Sequence, residues 1–189
     1  MVTHKIILEN EKDIYNYCFE VLLSSIISTI TIILISLFLK STYNTIFFLL
    51  GFFICRKFSG GYHANTHLNC FLITQAIFTS FSILSKLIII EKKILFLTII
   101  SLCATILVLL FAPVDNINKP MSIDERRKYK HKSIAFIIIY FFSICTLSYF
   151  SCFLDECIFF SLGVFSVSTM LFIGHLKNLS IKRKEVKYG

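Results

Sequence analysis

Long parts of this chain contain no charged residue. Only 16% of its 189 residues are Asp, Glu, Lys or Arg, and several stretches of 15 or more residues have none of the four. With 56% hydrophobic residues and a mean hydropathy of +0.79, the composition excludes an ordinary soluble domain. An internal repeat, a low-complexity tract and a long linker are absent as well. We therefore expect residues 1–189 to form one membrane domain.

The cysteines lack the pattern of a disulfide scaffold. They are seven, an odd number, and no two of them form a Cys-x-x-Cys pair of the kind that binds metal. Most lie within apolar runs, where cysteine behaves as a small hydrophobic residue. Cys70 differs because its neighbours are polar.

Six apolar segments predict an all-α, polytopic membrane protein. The first begins at Val21, follows acidic residues and lacks a small-residue cleavage site, so we expect a retained helix and no cleavable signal peptide. The second is short for a hydrocarbon core of about 30 Å, so it must tilt, thin the bilayer or be re-entrant. The six segments are 21–39, 41–55, 68–85, 94–112, 134–154 and 158–176.

The residues before the first segment have two interpretations. Ile7, Ile14 and Cys18 fall on one line of a helix, with charged residues between the apolar lines. Residues 1–20 are then either an amphipathic helix in the cytoplasmic interface or a charged extension of the first span.

The distribution of cations predicts the orientation in the membrane. With six crossings and an inward N-terminus, 15 of the 19 Lys and Arg residues lie on the inner side. This excess places both termini in the cytoplasm. The net charge of +8 is explained by topology, and a nucleic-acid partner is not needed to account for it.

The most informative stretch is the polar segment 56–70, which interrupts the apolar runs. It offers Cys70 as a nucleophile and His63 as a general base, the two residue types that a cysteine peptidase needs. Arg56 and the first turn of a helix would favour the thiolate. Gly60 and Gly61 permit a sharp turn whose N–H groups could hold an oxyanion. We interpret this segment as a catalytic site on the cytoplasmic side.

The spacing of His63 and Cys70 favours a folded loop before the third helix. In a continuous helix their Cα atoms would be roughly 10 Å apart, which is long for a hydrogen bond. His67 is a competing imidazole, and zinc bound by these three residues is the alternative, although no Glu stands beside either histidine as a base. We expect neither a metal nor a cofactor.

The residue that would orient His63 stays open in the sequence. A Cys–His dyad without a third residue is one alternative, and the sequence does not choose among the other candidates. These candidates are Asp115, Asn65, Asn69 and Gln75.

Two further segments are basic. Residues 113–133 form a loop that contains Pro113 and Pro120, and Ser122 followed by Glu125 predicts a capped helix running into the fifth span. Anchoring on anionic lipid and docking of an acidic peptide both fit such a surface. Residues 177–189 form a basic C-terminal tail. The candidate substrate-binding residues are Lys119, Arg126, Arg127, Lys128 and Lys130.

At these residues the chain resembles the accessory gene regulator B (AgrB) family, membrane peptidases of Gram-positive quorum sensing. One matching pattern is R-x-x-x-G-G-x-H-A-x-x-x-x-x-C, from Arg56 to Cys70, and the other is A-P-x-x-x-x-x-N-K-P, from Ala112 to Pro120. The resemblance also extends to chain length, segment number and charge topology.

The resemblance implies an endopeptidase that cuts a small amphipathic, AgrD-like propeptide near its C-terminus. Cys70 would be the nucleophile and His63 the base, and an acyl-enzyme thioester would be released by cyclisation to a thiolactone or lactone. The acidic C-terminal part of such substrates suits the basic loop. The location is then the cell membrane, and a two-fold homodimer is the default expectation.

Two other classes of function stay open. Six helices with basic loops also suit a peptide transporter or export channel without proteolysis, although the spans contain almost no internal charge. A structural or assembly protein of the membrane is the third alternative, and it leaves the Gly-Gly-His-Cys cluster without a role.

Overall fold

The computed structural model describes residues 12–59, 67–114, 121–150 and 153–188, with the side chains of 12–18, 21, 67–70, 90–91 and 181–188 left out. The described residues form six α-helices and no strand, which confirms the predicted fold class. In chain order these are α1 (Lys12–Phe38), α2 (Thr42–Ser59), α3 (His67–Leu87), α4 (Ile90–Phe111), α5 (Ile123–Tyr149) and α6 (Leu154–Tyr188).

Each predicted apolar segment lies within or largely within one of these helices, but several helices are longer than the apolar run. Residues 12–20 belong to the same uninterrupted helix as the first segment. Residues 1–11 lie outside the described part. α2 is also uninterrupted and is about 27 Å long at 1.5 Å per residue.

Helix α6 is the centre of the bundle and packs mainly on α2 and α4. Where α2 and α6 meet, the backbones touch through Gly51 and Gly163. A Cβ atom built on Gly163 would lie 2.2 Å from the carbonyl oxygen of Phe48, and one on Gly51 would lie 2.3 Å from that of Phe160. Small residues permit this approach, which is the usual device for close packing of helices in a membrane.

Polar contacts join α3 to α1 and to the turn that follows α1. The Gln75 amide of α3 donates to the Ser28 backbone oxygen of α1 at 3.0 Å and lies 3.1 Å from the Ser28 hydroxyl. At the end of the bundle where α1 ends and α2 begins, the Lys86 ammonium donates to the Leu39 carbonyl oxygen. These contacts fix α3 against α1 and against the turn that follows α1.

Three described helices have the length and composition of membrane spans: Lys92–Phe111, Ile123–Tyr149 and Leu154–Ser180. Two further apolar stretches, Leu22–Phe38 and Phe71–Leu87, are shorter. Large apolar side chains also cover much of the outer surface of the bundle, as expected for a surface in contact with lipid.

Candidate active site

The last turns of α2 carry the first members of the predicted site. Arg56 and Lys57 stand in the last turn of this helix, and the Arg56 guanidinium lies 5.6 Å from the centre of the Phe52 ring. Ser59 is buried and donates to the Cys55 carbonyl oxygen at 2.7 Å. Helix therefore continues four residues into the segment that the sequence pattern marks as an interruption. It holds both cations on a rigid element.

Helix α3 begins at His67, so Cys70 lies in its first turn. This placement fits the prediction of Cys70 at the N-terminus of the third helix. Gly60, Gly61 and His63 lie outside the described residues, and so do the side chains of His67 and Cys70. The folded loop that would bring His63 close to Cys70 stays a prediction.

Helix α5 is attached to the end of α2 by one buried hydroxyl. Ser133 Oγ lies 2.7 Å from the carbonyl oxygen of Phe58 and 2.8 Å from that of Tyr129, so its single proton links the two helices. The rings of Phe58 and Phe136 meet beside it at 5.7 Å between centroids. Arg56 of α2 and Phe71 of α3 also line one recess, so the end of α2, the start of α3 and the start of α5 form one end of the bundle, which we name the site end.

The basic turns of α5 project from the site end. The predicted capping box is confirmed: the Ser122 hydroxyl accepts from the Glu125 amide at 3.2 Å, and the Ser122 amide donates to Glu125 at 3.0 Å. The cations that follow are all exposed, namely Arg126, Arg127, Lys128, Lys130 and Lys132. Lys119 lies outside the described residues.

A small hydroxyl-lined recess opens between α1, α2 and α3, and the sequence analysis missed it. Its volume is about 20 Å³, enough for one water molecule. Arg56 and Thr74 line it, and Cys70 precedes Thr74 by four residues in α3. The hydroxyl residues of α1 in its wall are Ser24, Ser25, Ser28 and Thr29. Their spacing along one face of a nominally apolar helix is the signal that could have revealed them.

Helix packing accounts for three other residues that the sequence offered as polar or reactive groups, namely Cys55, His175 and Gln75. Cys55 is fully buried, with its sulfur 3.3 Å from the Ser59 hydroxyl. His175 packs its ring against Phe111 at 5.1 Å between centroids. Gln75 is buried and holds Ser28, so its amide nitrogen is committed to helix packing. Among the described side chains, no three His, Cys, Asp or Glu residues come together as a metal site.

The described residues form six helices, and three of these have the length and composition of membrane spans, which defines the chain as a polytopic helical membrane protein. The profile of the family Accessory gene regulator B matches residues 1–174. The chain therefore belongs to the AgrB family, as the two motifs predict.

Two relatives in Clostridium perfringens are similar over most of the chain. An AgrB-like protein of strain SM101 / Type A is 31% identical over 148 residues, which cover 75% of this chain and 69% of the relative. A second AgrB-like protein, from strain 13 / Type A, is 30% identical over 148 residues with the same coverage. No solved structure matches the chain.

Proposed function

We propose that this protein is a membrane cysteine endopeptidase that processes a small quorum-sensing propeptide. Membership in the AgrB family supports the processing role. The observation that carries the chemistry is the position of Cys70 in the first turn of α3, at the same end of the bundle as Arg56 and the basic start of α5. The positive end of a helix dipole and nearby cations both favour a thiolate.

In the proposed reaction, His63 takes the proton of the Cys70 thiol, and the sulfur attacks the carbonyl carbon of the scissile peptide bond. His63 returns this proton to the leaving amine as the C–N bond breaks, which releases the C-terminal fragment. The N-terminal part stays bound to the Cys70 sulfur as a thioester. Gly60, Gly61 and Arg56 would stabilise the oxyanion of each tetrahedral intermediate.

The second half of the reaction closes a ring. A thiol or hydroxyl within the bound peptide attacks the thioester carbonyl and loses its proton to His63, and the Cys70 sulfur leaves and takes that proton. The product is a cyclic thiolactone or lactone. Exchange of one thioester for another is nearly isoenergetic, so the acyl-transfer potential of the Cys70 thioester is retained when the ring is a thiolactone.

The exposed cations of α5 suit the acidic end of such a propeptide. They lie beyond the apolar part of the helix, and the Ser133 contact holds them next to the end of α2. Long-range attraction would steer an acidic segment to this surface. The same concentration of cations at the site end supports a cytoplasmic location for the site and for both termini.

The two histidines offer a matched test of the proposed base. The protein and its His63→Ala and His67→Ala variants are purified in nanodiscs and mixed with an amphipathic propeptide that has an internal Cys or Ser and an acidic C-terminal part. Mass spectrometry then follows both fragments. We expect cleavage by the wild type and His67→Ala, and none by His63→Ala. Full cleavage by His63→Ala would overturn the assignment.

A vesicle experiment separates the peptidase from a transporter. The protein is reconstituted with the propeptide on one side, and both compartments are analysed for intact and cleaved peptide. The proposal predicts cleaved peptide. Movement of intact propeptide across the membrane, without cleavage, would establish the transporter instead.

A further inference from the structure

A second cavity, much larger than the hydroxyl recess, extends from Phe136, beside the site end, to the first turns of α6. Its volume is about 490 Å³, within the range of ligand pockets in proteins. It is open on one side and lies between the start of α2, the second half of α5 and the first turns of α6. Its wall includes Tyr43, Phe136, Ile139, Tyr140, Glu156 and Phe160. Ile139 of this wall is 67% exposed, so the rim of the cavity lies at the lipid-facing surface.

The shape of this cavity selects the kind of molecule that it can hold. It follows α5 from Phe136 to Leu147, a rise of about 16 Å. Along this length the wall is almost entirely apolar, and its rim opens to the lipid-facing surface. An extended hydrocarbon chain from the surrounding bilayer matches both the length and the lining of the cavity.

The side chains at the end of the cavity beside the first turn of α6 indicate which polar group can bind there. Among the described residues of the cavity wall, Glu156, in the first turn of α6, is the only charged one, and it forms no ion pair with any described side chain. The adjacent Asp155 differs, because Lys93 binds its carboxylate at 2.6 Å. The ring of Tyr43 lines the same end. A carboxylate beside an aromatic ring is a suitable environment for an ammonium group.

We propose that this cavity binds a membrane lipid whose headgroup carries a cationic amine, with one acyl chain along α5 and the amine at Glu156. Membrane proteins exclude water from apolar cavities of this kind, and an acyl chain provides the missing contacts. The site is separate from Cys70 and does not depend on the proposed peptidase activity.

The absence of tryptophan from the sequence allows a clean optical test. Ile139→Trp places a single fluorophore at the rim of the cavity, and Leu110→Trp places one at the lipid-facing surface of α4, where the native side chain is 69% exposed. Each variant is reconstituted in phosphatidylglycerol nanodiscs that contain a small, equal fraction of brominated phosphatidylethanolamine or brominated phosphatidylglycerol. Bromine quenches a fluorophore that it contacts.

We expect the fluorophore at position 139 to be quenched about threefold more by the brominated amine lipid, the scale of a partly exposed ion pair. The fluorophore at position 110 should be quenched equally by both lipids. Adding Glu156→Gln should remove the preference at position 139, and adding Asp155→Asn should leave it intact. Equal quenching at position 139, or a preference that survives Glu156→Gln, would overturn the proposal.

Discussion

The α2–α6 interface and the site end of the bundle are built in opposite ways. At the interface, Gly51 and Gly163 bring two backbones together so closely that an added methyl group has no space. At the site end, cations of α5 are exposed and the hydroxyl recess stays open beside α3. The comparison indicates that the interface fixes the helices, while the site end offers groups that can meet a substrate.

The largest expected effect distinguishes two cysteines near the same end. Cys70→Ala should lower cleavage of the propeptide at least about 10³-fold, because the nucleophile is lost. Cys55→Ala should keep cleavage within a few-fold of the wild type, because this thiol is buried among packed side chains. Both variants are compared by the rate of fragment formation in nanodiscs. Cleavage at the wild-type rate by Cys70→Ala would contradict the account.

The next effect concerns the interface. Gly163→Ala should lower the free energy of unfolding by about 3 kcal/mol, because the new methyl group meets the backbone of α2. Ala135→Ser, which adds one atom on an exposed face of α5, serves as the control and should be nearly neutral. Unfolding in detergent, followed by circular dichroism, measures both. Equal stability of the two variants would show that α2 and α6 are not in backbone contact.

A smaller effect is expected for the exposed cations. Replacing Arg126, Arg127, Lys128 and Lys130 with Gln should raise the KM for the propeptide about tenfold and weaken its dependence on salt, because electrostatic attraction is lost. Replacing Lys40 and Lys92 with Gln removes charge at the opposite end and should change neither quantity. A KM that is unchanged in the α5 variant would exclude this surface as the docking site.

The smallest expected effect concerns the hydrogen bond between α5 and the end of α2. Ser133→Ala removes the hydroxyl that links α5 to the end of α2, at a cost of about 1 kcal/mol. Processing should fall a few-fold, because the basic turns lose their fixed position. Ser148→Ala removes a hydroxyl that bonds only within α5 and should process the propeptide normally. Equal rates for the two variants would show that this link does not position the substrate.

The sequence predicts the helices well because long apolar runs and capping residues are local signals. The sequence predicts the ends of the helices less accurately than their existence. An apolar run stops at its first charge, whereas α2 continues through Arg56 because the guanidinium lies over the Phe52 ring and Ser59 bonds to Cys55. α6 continues to Tyr188, since Lys and Arg are good helix formers.

Contacts between segments that are far apart in the sequence could not be predicted from either segment alone. The pairing of Gly51 with Gly163 depends on which helices become neighbours. The same holds for the link from Ser133 to Phe58 and for both cavities. Within the candidate site, the motif predicts the residue types, and the structure adds the helix position of Cys70 and the placement of Arg56.

The most direct test of the central claim is to trap the acyl-enzyme. The propeptide is prepared with its internal cyclising Cys or Ser changed to Ala, so that the thioester cannot close into a ring, and it is mixed with the protein. Intact-mass and peptide mass spectrometry then locate any adduct. We predict that the N-terminal fragment is attached to Cys70 and released by hydroxylamine. Cleavage of this propeptide without any adduct, or with an adduct at Cys55, would contradict the account.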